Sequence, residues 1–432
     1  MRRRDFLMGA GALALTAAGG PLLCRRGRAF ADGSPLDGLL PFNDYDTLEN
    51  IRATIKHNGF RFQVGHNWAY DEYGYAATQA DVRPCDVTRI VIPPAPAPPD
   101  PELPAKFDLR DINGRSYIGP IRDQAETVLC QSFAVAAAAE ASYNRRNGLY
   151  DDNCISLSPM YLGSIYDNGF SGRTRSGEPW GNPTGLEGLC REEDFPFIPY
   201  MLGAGVTPPA ILVEAAKSAP RITFRRYGLV YPYNYWETVN RIKRAIYRYG
   251  AVAGNILNCS AFRAYKSGVY EDTRIYPNKL PYPVSATNHA IALVGWDDNP
   301  PEGGNGCWIL RNSWGESWGE RGYMRIRYFS AGVNYRNEYL EAESADDGNL
   351  KIYGQVSVDG AAGSWISVLL SGDDSFESIA TGGWHGFSAL KAGHYRVTPD
   401  QPGVLFTPPY QEVNLTTGYA VVNFAGKSAF AG

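Results

Sequence analysis

Histidine is scarce. The 432-residue chain has five, and between Ala105 and Ala345 there is one, His289. Chemistry in that stretch that needs an imidazole base has no second candidate. Cysteine is also sparse, at seven: Cys24, Cys85, Cys130, Cys154, Cys190, Cys259 and Cys307. None forms a CxxC pair, which argues against a zinc site, and no metal or other cofactor is expected. Cys154, Cys190, Cys259 and Cys307 fit either two disulfides or four small buried apolar residues. No lysine or arginine run lies beyond the extreme N-terminus, and the net charge is −4. That balance gives no electrostatic footprint for nucleic acid, which is excluded as a partner.

What is present begins at the N-terminus. Met1-Arg2-Arg3-Arg4-Asp5-Phe6 resembles a twin-arginine export signal, followed by apolar and small residues to Leu23. Ala29-Phe30-Ala31 fits an A-x-A cleavage site, so residues 1–31 are expected to be removed. The apolar stretch is near the lower limit for spanning a bilayer, and no stable membrane insertion is expected after cleavage. The chain is therefore expected to be exported, to a periplasm or beyond, and to fold before it leaves a reducing cytoplasm.

Residues 32–103 have the pattern of a short pro-region and a linker. Leu48, Ile51 and Ile55 predict a helix over Thr47–Asn58. Gly65-x-Asn67-x-Ala69-x-Asp71 follows, flanked by Trp68 and Tyr70. Ile92 to Pro101 is a stiff polyproline linker and a plausible region for maturation cleavage.

Cys130 opens an alanine-rich run whose composition predicts a helix ending at Asn147-Gly148. A thiol at a helix N-terminus feels the positive end of the dipole, which favours thiolate and, beside an imidazolium, lowers its pKa. His289 starts an apolar run to Trp296, and Cys307-Trp308-Ile309-Leu310 is a second strand. A turn centred near Pro300 and Pro301 would set residue 289 opposite residue 312. Asn312 can then accept the ring N–H of His289, with Trp314 as a cover against water.

These residues belong to a wider pattern. Pro120-x-x-x-Gln124-x5-Cys130-x-x-Phe133, Asn288-His289-Ala290-x-x-x-Val294-Gly295-Trp296 and Asn312-Ser313-Trp314-Gly315-x-x-Trp318-Gly319 resemble papain-like cysteine peptidases. The Gly65-to-Asp71 spacing resembles the propeptide motif of the same family, with Ala69 in place of phenylalanine. The resemblance implies an α+β, two-lobed catalytic domain over residues 104–346, a helical lobe carrying Cys130 and a barrel-like β-rich lobe carrying His289 and Asn312. It also implies roles: Cys130 as nucleophile, His289 as base and acid, Asn312 as orienter, and Gln124 as oxyanion donor. Protein or peptide substrates follow, with synthesis as a zymogen. Two departures stand out: Thr127-Val128-Leu129 replaces the usual Cys-Gly-Ser, and Gln131 replaces tryptophan. The Asn-Ser-Trp-Gly block and Gln124 argue against a transglutaminase. The competing reading is an inactive papain-like protein that binds peptides or a surface.

After Asp346-Asp347-Gly348 apolar residues alternate, as in Ile352, Val356, Val358, in Ile366, Val368, Leu370, and in Tyr395 with Val397. Val413 with Leu415 and Val422 with Phe424 continue the period. Residues 347–432 are expected to form a small all-β sandwich resembling carboxypeptidase-regulatory-like or collagen-adhesin B-type modules, a spacer more than an envelope- or protein-binding surface. His385 and His394 are expected to be structural or solvated.

Overall fold

A computed structural model describes residues 39–71, 103–166, 188–198, 214–230, 235–272 and 288–429, except positions 44, 126, 128, 215, 329, 335–336, 344–347, 349, 364–365, 374–375 and 381–382. The expected signal, the polyproline linker, Cys24, Cys85 and Val128 lie outside the described residues.

Helix α1 (Leu48–Asn58) forms where the apolar spacing places it. Thr47 caps it by accepting the Asn50 N–H at 3.2 Å, and Gly59 ends it at φ +69°. Strand β1 (Phe62–Val64) pairs antiparallel with β5 (Tyr265–Tyr270), and the single turn α2 (Trp68–Asp71) follows. Ala69 is fully buried there, and Asn67 donates to the Arg263 carbonyl at 2.9 Å. The segment expected to be a pro-region is thus stitched to the chain that follows it.

The central sheet runs in the order β1-β5-β8-β7-β6-β4-β9-β3, with β2 also on β6. Its remaining strands are β2 (Lys106–Asp108), β3 (Phe224–Val230), β4 (Val252–Ile256), β6 (His289–Asp297), β7 (Cys307–Arg311), β8 (Tyr323–Arg327) and β9 (Asn337–Ala342). Helix α3 (Cys130–Arg146) lies against β4, β6 and β9 and is buried along nearly all its length. Its alanines leave room for backbone to approach on every side, which a leucine-rich helix would not. Gly148, at φ +66°, follows its end. The apolar interior divides in two: one cluster surrounds α3, with Phe133, Leu157, Met160 and Leu340, and the other fills the strand-rich side, with Trp296, Trp308, Trp314 and Trp318.

Strands β6 and β7 form the expected antiparallel hairpin, but its register differs from the simple one. Ala292 faces Arg311 and Asp297 faces Cys307, with a bulge at Val294. Continued to the site, that register sets His289 opposite Trp314, two residues beyond Asn312. The turn is centred at Glu302, beyond Pro300 and Pro301, and the bulge turns the Val294 carbonyl to accept the Leu109 N–H at 3.0 Å.

Among the described residues of 350–428 the regular structure is all strand. Its strands are β10 (Leu350–Val358), β11 (Ala361–Ala362), β12 (Ile366–Gly372), β13 (Phe376–Ala380), β14 (Trp384–Leu390), β15 (Gly393–Asp400), β16 (Val404–Thr407), β17 (Gln411–Leu415), β18 (Tyr419–Val421) and β19 (Phe424–Ser428). One sheet orders β11-β10-β19-β16 with β14 and β18 also on β10, and a second orders β13-β12-β15-β17. Leu350, Ile352, Val356, Phe387 and Phe424 from the first meet Ile366, Val368, Leu370, Tyr395 and Val397 from the second in one apolar cluster. Val358 and Val413 lie at its margin. His385 is buried, with Nε2 2.9 Å from the Val422 carbonyl oxygen. All five described cysteines are free thiols, so of the two readings for Cys154, Cys190, Cys259 and Cys307 the unpaired one holds.

Candidate active site

Cys130 is the first residue of α3, and Leu129 before it supplies no side-chain cap. The first-turn N–H groups are therefore left to the sulfur and whatever approaches it. His289 is the first residue of β6 and pairs with Ile256 of β4. The backbone N–H groups of Ala290, Gln131 and Cys130 itself lie close enough to the Cys130 sulfur to favour its thiolate. The thiol thus rests one residue along the strand from the imidazole.

Asn312 follows β7, and its Oδ1 lies 2.9 Å from His289 Nε2 while accepting the Ser313 N–H at 2.8 Å. An atom that accepts a backbone N–H is the amide oxygen, so Nε2 must carry the ring proton. Nδ1 is then the basic nitrogen, and it has no hydrogen-bond partner among the described residues. The Trp314 ring stacks on the imidazole, centroids 4.6 Å apart at 28°, and Trp318 stands edge-on to Trp314 at 5.4 Å. Both tryptophans and His289 are fully buried.

Gln124 is held from two sides. Its backbone N–H donates to the Ser313 carbonyl at 2.8 Å, and the Ser313 hydroxyl donates to its Oε1 at 2.6 Å. Its Nε2 donates one proton to the Thr127 carbonyl at 2.8 Å, which leaves the second as a donor. Thr127, at the position of a usual family cysteine, returns a hydroxyl bond to the Gln124 carbonyl at 2.7 Å.

Burial sets the protonation states. It pushes the Cys130 thiol up to about 11, outweighing the nearby backbone N–H groups of Ala290, Gln131 and Cys130. It pushes His289 down to about 4, against the support of Asn312. This corrects the expectation of a lowered thiol pKa. The helix terminus and N–H groups do favour thiolate, but with both groups fully buried they do not match the cost of desolvation. In this closed arrangement burial therefore favours the neutral thiol and the neutral imidazole over the ion pair.

Three features were not legible in the sequence motifs. Glu140, on α3, is buried in an ion pair with Arg122, receives the Leu157 N–H at 2.8 Å, and lies 3.8 Å from Arg311. Arg122 stands two residues before Gln124 and Arg311 one before Asn312, so one carboxylate ties both loops to the helix. Gln131 donates to Asn255 Oδ1 at 2.8 Å, with both side chains buried. Trp68 donates its indole N–H to the Trp314 carbonyl at 3.0 Å, joining the early segment to the residue that covers His289.

The class of protein is set by comparison as well as geometry. The model of the papain family cysteine proteases matches residues 103–340, more than half of the chain, and the chain belongs to that family. It is 30% identical over 215 residues to gamete and mating-type specific protein A of Dictyostelium discoideum, covering 50% of this chain and 42% of that protein. Over 231 residues it is 30% identical to cathepsin K of Gallus gallus, covering 52% of this chain and 58% of that one. The chain thus spans about half the length of these curated relatives. Among solved structures, the proform of the ragweed pollen cysteine protease Amb a 11 superposes with a TM-score of 0.50 at 18% identity, over 68% of this chain and 84% of that chain. That likeness establishes the papain-like fold.

Proposed function

We propose that this chain is a cysteine peptidase that hydrolyses peptide bonds through Cys130, His289, Asn312 and Gln124. The observation that carries the reading is the assignment of the ring nitrogens. Asn312 holds the proton on Nε2, leaving Nδ1 basic and without a partner among the described residues, in the strand whose next N–H lies near enough to the Cys130 sulfur to favour its thiolate. In the reaction Nδ1 takes the thiol proton as the sulfur attacks the substrate carbonyl. The free Nε2 proton of Gln124 and the Cys130 N–H donate to the oxyanion. The imidazolium gives its proton to the departing amine and a thioester remains. Water, deprotonated by Nδ1, attacks the thioester and releases acid and thiol.

The protonation states support synthesis in latent form. A neutral thiol beside a neutral imidazole is a weak nucleophile, and the early segment is bonded to Trp314 directly over the ring. Withdrawal of that segment would admit water and relieve the desolvation that holds both groups neutral. Export by a twin-arginine route after folding suits free thiols, and residues 347–432 act as a β-sandwich spacer at the cell envelope. A thiol-directed epoxide inhibitor tests the peptidase reading. Stoichiometric labelling at Cys130, with peptide cleavage abolished in Cys130→Ser, is the expected result. A chain that, after its early segment is removed, neither labels nor cleaves would be the inactive, peptide-binding protein.

A further inference from the structure

We infer that Gln131 and Asn255 form a clamp that sets the distance between sulfur and imidazole, making both positioning residues. The inference rests on the proposed pairing of Cys130 with His289.

The links form a closed circuit. Gln131 is bonded covalently to Cys130, and its Nε2 donates to Asn255 Oδ1 at 2.8 Å. Asn255 faces Ala290 in the β4–β6 ladder, and the next pair is Ile256 with His289. The circuit closes at Ala290, the ladder partner of Asn255, whose N–H lies near enough to the Cys130 sulfur to favour its thiolate. The first turn of α3 is thereby tied by one side-chain bond to the two strands that hold the imidazole.

Chemistry favours a clamp over a volume filler. Gln131 and Asn255 are 5% and 4% exposed. In such surroundings a carboxamide pair is held by the cost of leaving donor and acceptor unmet, so its length is fixed within narrow limits. A tryptophan, the residue the family usually carries after its nucleophile, would fill the space without fixing a distance. Proton transfer from sulfur to Nδ1 depends steeply on that distance, and about 1 Å of misplacement can cost on the order of 10²-fold.

The test uses the chain made as the full precursor and activated by withdrawal of its early segment, with iodoacetamide as a small uncharged probe. The Cys130 alkylation rate is mapped against pH by peptide mass analysis, and kcat and KM are read on a short peptide. Gln131→Met and Asn255→Leu are each expected to lower both kcat and Cys130 alkylation by about tenfold, with little change in KM. The double variant should be no worse than the poorer single, since both break one bond. The exchanged pair, Gln131→Asn with Asn255→Gln, should recover most of the loss. Single variants that match wild type in kcat and alkylation profile would overturn the clamp and leave the peptidase reading intact. So would losses that add independently, or that follow thermal stability and are not recovered by the exchange. A wild-type chain that neither alkylates at Cys130 nor cleaves peptide would instead remove the reading on which the clamp rests.

Discussion

Asn312 and Gln124 are both carboxamides beside the nucleophile, yet they are bonded for different tasks. Asn312 uses its oxygen, accepting from His289 Nε2 and from the Ser313 backbone. Replacing it with alanine leaves a buried ring N–H without an acceptor and frees the imidazole to turn. The expected loss in kcat is on the order of 10²-fold, with KM little changed. Gln124 has its oxygen occupied by Ser313 and one amide proton occupied by Thr127. What remains is a single donor, and Gln124→Ala should lower kcat by about 10²–10³-fold. Steady-state kinetics on a short peptide separates these from binding defects, because both losses belong in kcat. Should Gln124→Ala raise KM alone, the glutamine would be holding substrate and not the transition state.

Elements were legible to different depths. The hairpin that brings His289 near Asn312 follows from two apolar runs around a Pro-Pro turn, and the helix that starts at Cys130 follows from its alanines. The register does not follow, because a bulge at Val294 leaves no mark in an apolar run. Gln131 could not be matched to Asn255, which lies 124 residues away and is opposed only once β4 pairs with β6. The thiol state was misjudged because burial is a tertiary property that position on a helix does not reveal. In the C-terminal region β14 (Trp384–Leu390) escaped the alternation reading because its inward position 385 is a histidine. The bulge in turn makes a prediction. Gly295 faces Asp108 of β2, and a Cβ there would lie 2.3 Å from the Phe107 carbonyl oxygen and 2.9 Å from Asp108 Cα. Gly295→Ala should therefore push β2 off the sheet and destabilise the fold by about 1–3 kcal/mol. A melting temperature equal to wild type would mean that β2 shifts at no cost.

At the scale of the whole molecule, the buried titrating groups bracket the range of stability. His289 and His385, one at the candidate site and one in the C-terminal sheets, are both held at about 4 by burial. The unfolded chain binds protons on these groups from about pH 6.5 downward, while the folded chain does not until about 4. Their stabilisation is therefore complete above pH 6.5 and is lost as pH falls toward 4, by up to about 3 kcal/mol each. On the other side Cys130 is raised to about 11 and Cys190 and Cys307 to about 12, from 9.0. Here the unfolded chain releases protons first, so stability falls as pH rises above 9. Urea midpoints of the full chain should form a plateau near neutral pH with a loss on each side. His385→Gln separates the acid limb from the candidate site, since glutamine can still donate to the Val422 carbonyl but binds no proton. That variant should lose roughly half of the wild-type decline between pH 6.5 and 4, with unchanged peptide cleavage at neutral pH. An acid limb of undiminished depth would show that carboxylates, and not the two buried imidazoles, set the acid limit of this fold.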